Sequence, residues 1–331
     1  MTRRLPKCLS AVAFTALAMP ALVLSSVASA ATDYPNKVIR LVVPFAPGGV
    51  TDTSGRIVAE GLSKELGQQV VVENRAGASG NVGAAAVAGS AADGYTLLLA
   101  LDGTLVINPF LYEKPGFDAL KDFAPIAKVG DSAILIVTNP KTGIKTLAEL
   151  IELSKKTPGG LSYGTSGIGS ITHIAGELLN RQTGANLVHV PYKGGGPAVN
   201  DVLGGHIPLA FGSAASVRQQ LQSGALVPIA VPSLQRSAAL PAVPTFKESG
   251  VDGVALDSWV GIFAPANTPA DIITKLNVAT NKVLRDPQVT ERLLAAGIVA
   301  ANQTPEAFNK AIQADAALYE KIIKEANIKL Q

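Results

Sequence analysis

The sequence predicts an α/β fold of two lobes, each a mainly parallel sheet flanked by helices, with a two-strand hinge between them. Short β-branched segments alternate with amphipathic helical segments, the order that builds parallel sheets covered by helices. The alternation starts again after Gly130, so the chain contains two such units. The last predicted strand, near residues 257–263, is followed only by helical patterns, and such a tail has to pack onto an existing sheet.

The first unit places a turn rich in proline and glycine, residues 44–49, between a buried strand and a helix closed by Gly67. Thr51 and Asp52 are expected to cap the start of this helix, because their side-chain oxygens can accept hydrogen bonds from its first N–H groups. The strands predicted in this unit are residues 38–43, 70–72 and 95–99.

The second unit repeats this arrangement, with a glycine-rich turn at residues 164–170 after a strand. The helix that follows carries apolar residues at i, i+3, i+4, i+7 and i+8 from Ile171, the stripe of a helix that packs on a sheet. The predicted strands are residues 134–137, 161–163, 187–190, 208–211 and 227–231. The predicted helices of this unit and of the tail are residues 146–156, 171–179, 270–284, 287–296 and 305–326.

If the helical tail packs back onto the first unit, the chain crosses between the lobes twice, near residues 128–132 and 254–260. Two crossing strands make a hinge. Trp259 lies at the second crossing, and we interpret it as hinge packing in preference to a cleft wall. The predicted division is residues 31–130 and 258–331 for lobe one and residues 131–257 for lobe two.

The N-terminus has the pattern of a cleaved secretory signal. Three basic residues precede an uncharged apolar stretch at residues 9–27, which ends in Ala-Ser-Ala. This pattern predicts removal of residues 1–30. An uncleaved membrane anchor is the alternative, and Pro20 and the short apolar core argue against it.

Cleavage changes the charge and the cysteine content of the chain. Residues 1–30 hold three of the 28 Lys and Arg residues and no acid, so 25 basic residues remain against 25 acidic ones. This balance leaves no basic field for nucleic acid. Cys8, the single cysteine, leaves with the signal, and a thiol-free chain suits an oxidising compartment. We therefore predict a protein of the bacterial periplasm.

The two glycine-rich turns predict an anion site. In open α/β sheets ligands lie beyond the carboxyl ends of the strands, where loops enter helices. Glycine lets backbone N–H groups approach a ligand, and a helix N-terminus adds unpaired donors and partial positive charge. Residues 44–52 and 164–170 supply one such loop on each lobe, which suits a carboxylate gripped from both sides. The alternative is that both are only tight turns before capped helices.

Motifs for catalysis are incomplete. Residues 164–168 have isoleucine where a nucleophile elbow requires its last glycine. A serine hydrolase that pairs Ser166 with His173 stays a disfavoured alternative, because His173 suits helix packing as well. His-Glu-x-x-His does not occur, and zinc clusters built on cysteine are excluded. We expect no enzymatic activity, no cofactor and no metal.

Several blocks, in order along the chain, are similar to one family. The chain resembles the Bug-type solute receptors, the extracytoplasmic binding proteins of tripartite tricarboxylate transporters, the group that includes TctC. The blocks span nearly the whole chain after the signal, and blocks in order are more specific than any one motif. They are residues 34–39, 43–52, 72–81, 92–97, 163–170, 190–194 and 258–265.

The resemblance implies a two-lobe periplasmic binding protein, type II-like, that closes on a small carboxylate. In the family the loops after the first strand of each lobe hold the ligand carboxyl, partly through ordered water. Asp52 is expected to act mainly as a helix cap. Carried over by matching blocks, the expected ligand-binding residues are Phe45, Ala46, Gly48, Gly49, Thr51 and Asp52 on lobe one and Tyr163, Thr165, Ser166, Gly167, Ser170 and His173 on lobe two.

The resemblance also implies partners. We predict a monomer that delivers its ligand to the membrane permease subunits of a tripartite tricarboxylate transporter, with presentation to a sensor kinase as the alternative. Many relatives carry an acid and an asparagine after the residue that matches Phe211, whereas this chain has Gly212 and Ser213. If that acid meets a ligand amino group, its absence favours a plain organic acid.

Overall fold

The structure is a computed structural model that describes residues 1–2, 34–326 and 328. The predicted signal segment, with Cys8, lies outside the described residues except for residues 1–2. Among the described residues, no helix combines the length and the apolar character needed to cross a bilayer.

Two sheets organise the described chain. Strands β1 to β11 are Ile39–Val43, Val70–Asn74, Thr96–Leu101, Phe123–Ser132, Ile134–Thr138, Leu161–Thr165, Leu187–Pro191, Leu209–Ser213, Val227–Ala230, Ser258–Pro265 and Ile298–Ala300. Helices α1 to α10 are Val50–Leu66, Asn81–Ala88, Asn108–Leu111, Leu147–Lys156, Ile171–Thr183, Gly195–Gly204, Ala214–Gln222, Ala270–Arg285, Pro287–Ala295 and Pro305–Ala326. Short 3-10 turns lie at Ala78–Gly80 and Pro140–Thr142, and a π-helical turn at Gly103–Ile107.

The strand order confirms the two-lobe α/β fold. The first sheet runs β11-β4-β10-β3-β1-β2 and the second β7-β6-β8-β5-β9. Strand β1 is parallel to β2 and β3, and β6 is parallel to β7 and β8. The remaining pairings are antiparallel. The sheets are therefore mixed, whereas the sequence predicted mainly parallel sheets. The difference arises because β4, β5 and β10, which connect the lobes, run against their neighbours.

Alternating side chains place helices on both faces of each sheet. In β1, Leu41 packs in a cluster with α1, α8 and α9, whereas Val42 points into a cluster with α2 and α10. In β5, Ile136 joins that second cluster and Leu135 packs with α6 and α7. The helical tail thus packs on the first sheet, as the sequence predicts. We call each sheet with its helices a lobe and propose the division given above for the chain.

The two crossings between the lobes lie side by side. Only Ala133 separates β4 from β5, and Ser132 at the end of β4 pairs with Ser258 at the start of β10. This pairing is the predicted two-strand hinge. Neighbouring crossings let one lobe rotate against the other with few backbone changes.

Side chains of lobe one anchor the returning strand β10. Ser258 Oγ donates to Asp102 Oδ1 at 3.0 Å, and Trp259 Nε1 donates to Asp315 Oδ2 of α10 at 2.8 Å. Trp259 is 3% exposed, so it packs at the hinge and does not line a cleft. Asp102 is 1% exposed, and among the described residues its Oδ2 finds no hydrogen-bond partner.

This burial predicts an unusual pH dependence of stability. Burial raises the pKa of Asp102 to about 7, although the Gly103 N–H and the Ser258 hydroxyl act in the opposite direction. An unfolded aspartate releases its proton near pH 4. The folded chain therefore binds more protons between about pH 4 and pH 7, and the stability from this carboxyl is lost as the pH rises through that window.

Asp102→Asn should remove this loss because an amide does not ionise. Relative to the wild type, the variant should gain about 1–3 kcal/mol of unfolding free energy between pH 5 and pH 8, measured by urea unfolding. The exposed Asp252→Asn is the control and should follow the wild type. Equal pH profiles for Asp102→Asn and the wild type would show that Asp102 is ionised at neutral pH.

Candidate functional site

The lobe-one loop, residues 44–52, joins β1 to α1. Helix α1 begins at Val50 and Gly49 is its N-cap, with no capping side chain. The expectation that Thr51 and Asp52 cap the helix is therefore wrong, since both lie inside its first turn and are buried. The first-turn N–H groups of α1 have no intrahelical partner, and Gly49 has no side chain that could cap them.

Asp52 instead ties the loop to the lobe. Its Oδ2 accepts from the Gly48 N–H at 3.0 Å and from Arg56 Nε at 3.1 Å, and its Oδ1 accepts from Asn74 Nδ2 at 2.9 Å. Asn74 Nδ2 also donates to the Phe45 carbonyl at 3.0 Å. Burial alone would raise the pKa of Asp52, but the bonds from Arg56, Gly48 and Asn74 outweigh burial and hold that pKa below its ordinary value. The carboxylate is thus an internal brace and faces the loop.

The part of the loop that remains open is mostly backbone. Ala46, Gly48 and Gly49 are exposed, and Phe45 is half-buried. Arg56, the cation nearest to this loop in the hydrogen-bond network, is already paired with Asp52 at 2.9 Å. An anion here would therefore meet N–H groups and the positive end of α1.

The lobe-two loop, residues 164–170, joins β6 to α5. Ser170 is the N-cap of α5, and its Oγ accepts from the His173 N–H at 3.3 Å and donates to the Gly167 carbonyl at 2.7 Å. Thr165 is fully buried, and its Oγ1 accepts from the Gly167 N–H at 3.2 Å. These bonds hold the loop against the start of α5, just as the bonds of Asp52 and Asn74 hold the lobe-one loop against the start of α1.

The hydroxyl of Ser166 is not paired with His173. Ser166 Oγ lies 3.1 Å from Thr172 Oγ1, while His173 Nδ1 accepts from the Gly169 N–H at 3.3 Å. A general base must lie within hydrogen-bond reach of the proton that it removes. The described geometry therefore does not favour the serine hydrolase alternative.

Two of the expected site residues lie beneath the lobe-two loop. Tyr163 is fully buried, and its hydroxyl donates to Glu177 Oε1 at 2.8 Å. A Cβ at Gly176 would lie 2.3 Å from the Tyr163 ring, so the ring fills the space that this glycine leaves. His173 is 6% exposed. Both side chains therefore support the loop from below.

Neighbouring loops of lobe two meet at the same edge. The Tyr192 N–H donates to the Thr165 carbonyl at 3.2 Å, which joins the loop after β7 to the lobe-two loop. A Cβ at Gly195, in the first turn of α6, would lie 3.7 Å from Ser216 Oγ in the first turn of α7. The starts of α5, α6 and α7 are therefore adjacent, because β6, β7 and β8 end at one edge.

A turn that sequence reasoning missed as a site element lies opposite. In Ala78–Gly80, Ala78 has φ 45° and Ser79 has φ 53°, left-handed values that are uncommon for residues other than glycine. Thr104 Oγ1 and Asn108 Nδ2 both donate to the Ser79 carbonyl, at 3.1 and 3.0 Å. We call this the Ser79 turn. Its available signal was the run Gly77-Ala78-Ser79-Gly80-Asn81, part of the block of residues 72–81.

Both glycine-rich loops contact the Ser79 turn. A Cβ at Gly80 would lie 3.2 Å from Phe45 Cζ of the lobe-one loop. Ser79 Oγ, which also accepts from the Tyr112 hydroxyl at 3.2 Å, lies 3.4 Å from the Ile168 carbonyl of the lobe-two loop. The two loops, from different sheets, thus both lie against the Ser79 turn.

Asp52→Asn tests the brace under the lobe-one loop. An amide in place of the carboxylate would present its NH₂ group to some of the donors that now bind Asp52, namely the Gly48 N–H, Arg56 and Asn74. We therefore expect the free energy of unfolding at pH 7 to fall by about 2 kcal/mol. Asp271→Asn is a matched control, because Asp271 is an exposed acid in the first turn of α8, and it should lose less. Guanidinium unfolding measures both variants. Equal losses would mean that Asp52 acts only through the helix dipole.

Known proteins share this chain's sequence and fold. The protein BugT of Bordetella pertussis (strain Tohama I) is 38% identical over 302 residues, which cover 91% of this chain and 93% of BugT. The structure of the periplasmic binding protein BugD has a TM-score of 0.83 and 36% identity, covering 90% of this chain and 100% of BugD.

Two further similar structures contain carboxylates. R. palustris Rpa4515 with adipate has a TM-score of 0.85 and 33% identity, over 89% of this chain and 99% of that one. MatC from Rhodopseudomonas palustris with bound malate has a TM-score of 0.81 and 30% identity, over 88% and 100%. The family described as "Tripartite tricarboxylate transporter family receptor", TctC, matches residues 55–328. The chain belongs to this family of solute-binding receptors, as its resemblance to the Bug-type proteins predicts.

Proposed function

We propose that the chain captures a small organic carboxylate between its lobes and delivers it to the permease subunits of a tripartite tricarboxylate transporter. It does so as a monomer in the periplasm after removal of residues 1–30, and it carries out no chemistry on the ligand. The observation that carries this proposal is the contact of both glycine-rich loops with the Ser79 turn. Each loop opens a helix of at least three turns, and in this proposal the positive ends of both helices lie next to the bound carboxylate.

The chemistry of the crevice favours an anion held by main-chain groups. The open part of the lobe-one loop is Ala46 to Gly49. On lobe two the N–H groups of Ser166 and Gly167 are bonded to Thr172 and Thr165, so this loop offers the Ser166 hydroxyl, the surface of Gly167 and the start of α5. These positions, with Phe45 as an apolar wall, make up the proposed ligand contacts. Thr51, Asp52, Thr165 and Ser170 shape the loops from inside.

The relatives with adipate and malate support a dicarboxylate as the ligand class. Strand β8 ends in Gly212 and Ser213. Ser213 is the N-cap of α7, and its Oγ accepts from the Ser216 N–H at 3.3 Å. Neither position carries an acid that could pair with a ligand amino group. We therefore place plain organic acids ahead of amino acids.

Isothermal titration against mono-, di- and tricarboxylates, amino acids and neutral sugars tests the proposal. We expect a plain dicarboxylate to bind with a dissociation constant near 1 μM, about 8 kcal/mol of binding free energy. Binding should reduce the radius of gyration in small-angle scattering, because the ligand draws the lobes together. Binding of neutral sugars without any carboxylate would refute the anion site.

A pair of glycine substitutions separates closure from backbone strain. Gly169 has φ +77°, and a Cβ there would lie 2.8 Å from Leu111 Cδ1 of lobe one. Gly159 has φ +78° and no neighbour within 4 Å of such a Cβ. Both alanine variants strain the backbone alike, but only Gly169→Ala pushes the lobes apart. We expect it to weaken carboxylate binding about tenfold, or 1.4 kcal/mol, in the same titration.

Gly159→Ala is the control for that pair and should bind as the wild type does. Equal affinities for the two variants would mean that Gly169 does not approach lobe one when the ligand is bound.

A further inference from the structure

Two histidine rings are stacked beneath the lobe-two loop. His173 lies in the first turn of α5 and His189 in β7, and their ring centroids are 3.9 Å apart with the planes inclined by 18°. His173 is 6% exposed and His189 is half-buried. A stacked pair of buried imidazoles is stable when both rings are neutral, because two stacked cations would repel each other.

Each ring is bonded to a different end of the loop. His189 Nε2 lies 2.6 Å from Thr165 Oγ1, and that hydroxyl accepts from the Gly167 N–H. His173 Nδ1 accepts from the Gly169 N–H at 3.3 Å. The pair thus supports the backbone between Thr165 and Gly169, the part of the loop that carries Ser166 and Gly167 of the proposed ligand contacts.

Few charged groups face the rings from the elements around them. On α5, Glu177 Oε1 lies 3.9 Å from His173 Nε2 and accepts from the hydroxyl of Tyr163 on β6. Helix α10 contributes Glu325, which lies 4.0 Å from Arg181, two turns farther along α5. Burial lowers the pKa of His173 to about 4. Burial, together with the neighbouring His173, lowers the pKa of His189 to about 3.

We propose that His173 and His189 form a proton-sensitive clamp that holds the lobe-two loop in its ligand-binding form. A proton on His173 Nδ1 would face the Gly169 N–H, so a hydrogen bond would become a contact between two donors. A proton on each ring would also place two cations in a stack. Acid therefore releases the loop, and with it the ligand. This inference rests on the proposed function, and it makes both histidines positioning residues.

The sign of the effect follows from the neutral state of the folded form. An unfolded histidine takes up a proton near pH 6.5, whereas the folded rings resist protonation to lower pH. The clamp is therefore intact while the folded rings are neutral, and it is lost as the pH falls through the pKa of His173, about 4. Ligand affinity should not respond to the rings above about pH 5 and should fall below that pH.

The rings are tested directly by NMR of the protein produced from the full-length chain, with labelled histidine. We expect His173 and His189 to stay neutral from pH 7.5 to pH 5, with His173 protonated on Nε2. The Gly169 amide signal should move only when the rings titrate. Titration of either ring near pH 6.5, or a Gly169 amide that does not respond, would overturn the clamp. This measurement needs no ligand.

The link to binding is tested by titration with adipate between pH 7.5 and pH 3.5. The double variant His173→Asn with His189→Gln keeps oxygens near the Nδ1 and Nε2 positions but does not titrate, so its dissociation constant should rise only through protonation of adipate. For the wild type we expect a rise about fourfold larger than that of the double variant, because a ring with a pKa near 4 is mostly protonated at pH 3.5. His206→Gln, at an exposed histidine, should follow the wild type. Protonation of adipate is common to all three proteins and cancels in the comparison.

A double variant with the slope of the wild type would overturn the proposal. If the double variant does not fold by circular dichroism, His173→Asn alone should reduce the slope, and His173→Leu, which lacks the acceptor for Gly169, should weaken binding already at pH 7.5. If the wild type binds no carboxylate at pH 7.5, the proposed function fails, and the NMR titration still decides whether the clamp exists.

Discussion

The structure depends on the hydrogen bonds that shape the loops before α1 and α5, two helices whose first N–H groups have no partner within the helix. An N–H group at a helix start destabilises the fold if it is buried without a partner. Other bonds therefore have to hold the loop around it in a shape that leaves the group accessible. On lobe one the Asp52 carboxylate supplies those bonds, and on lobe two Ser170, Thr165 and the histidine pair do so. Side chains that look like candidate ligand contacts are in this way committed to shaping the main chain.

Periodicity was sufficient to predict most of the architecture. The alternation of strands and helices and the restart after Gly130 predicted two lobes, and the tail without strands predicted helices that return to the first sheet. The antiparallel pairings of β10 and β5 were not predictable in this way, because strand direction depends on the path of connections far apart in sequence. The short strand β11 was also missed, since three residues are too few for a periodic signal.

The candidate site was predicted in part. Glycine spacing identified both loops, but it did not show that Asp52 points inwards, because that depends on Asn74 from the next strand. Nor did it indicate the Ser79 turn, whose left-handed backbone depends on Thr104 and Asn108, residues 25 and 29 positions away. Local patterns show where a loop enters a helix, whereas the direction of a buried polar side chain depends on tertiary neighbours.

Helix α5 connects the site to the body of the molecule. Its first residue follows the lobe-two loop, and near its other end Arg181 lies beside Glu325 of α10, which packs on lobe one. Thirteen residues of helix span about 20 Å. A rotation of lobe two at the hinge between β4 and β10 therefore moves α5 as one rigid rod, so any shift of its first turn at the site is accompanied by a shift of the Arg181 end beside α10.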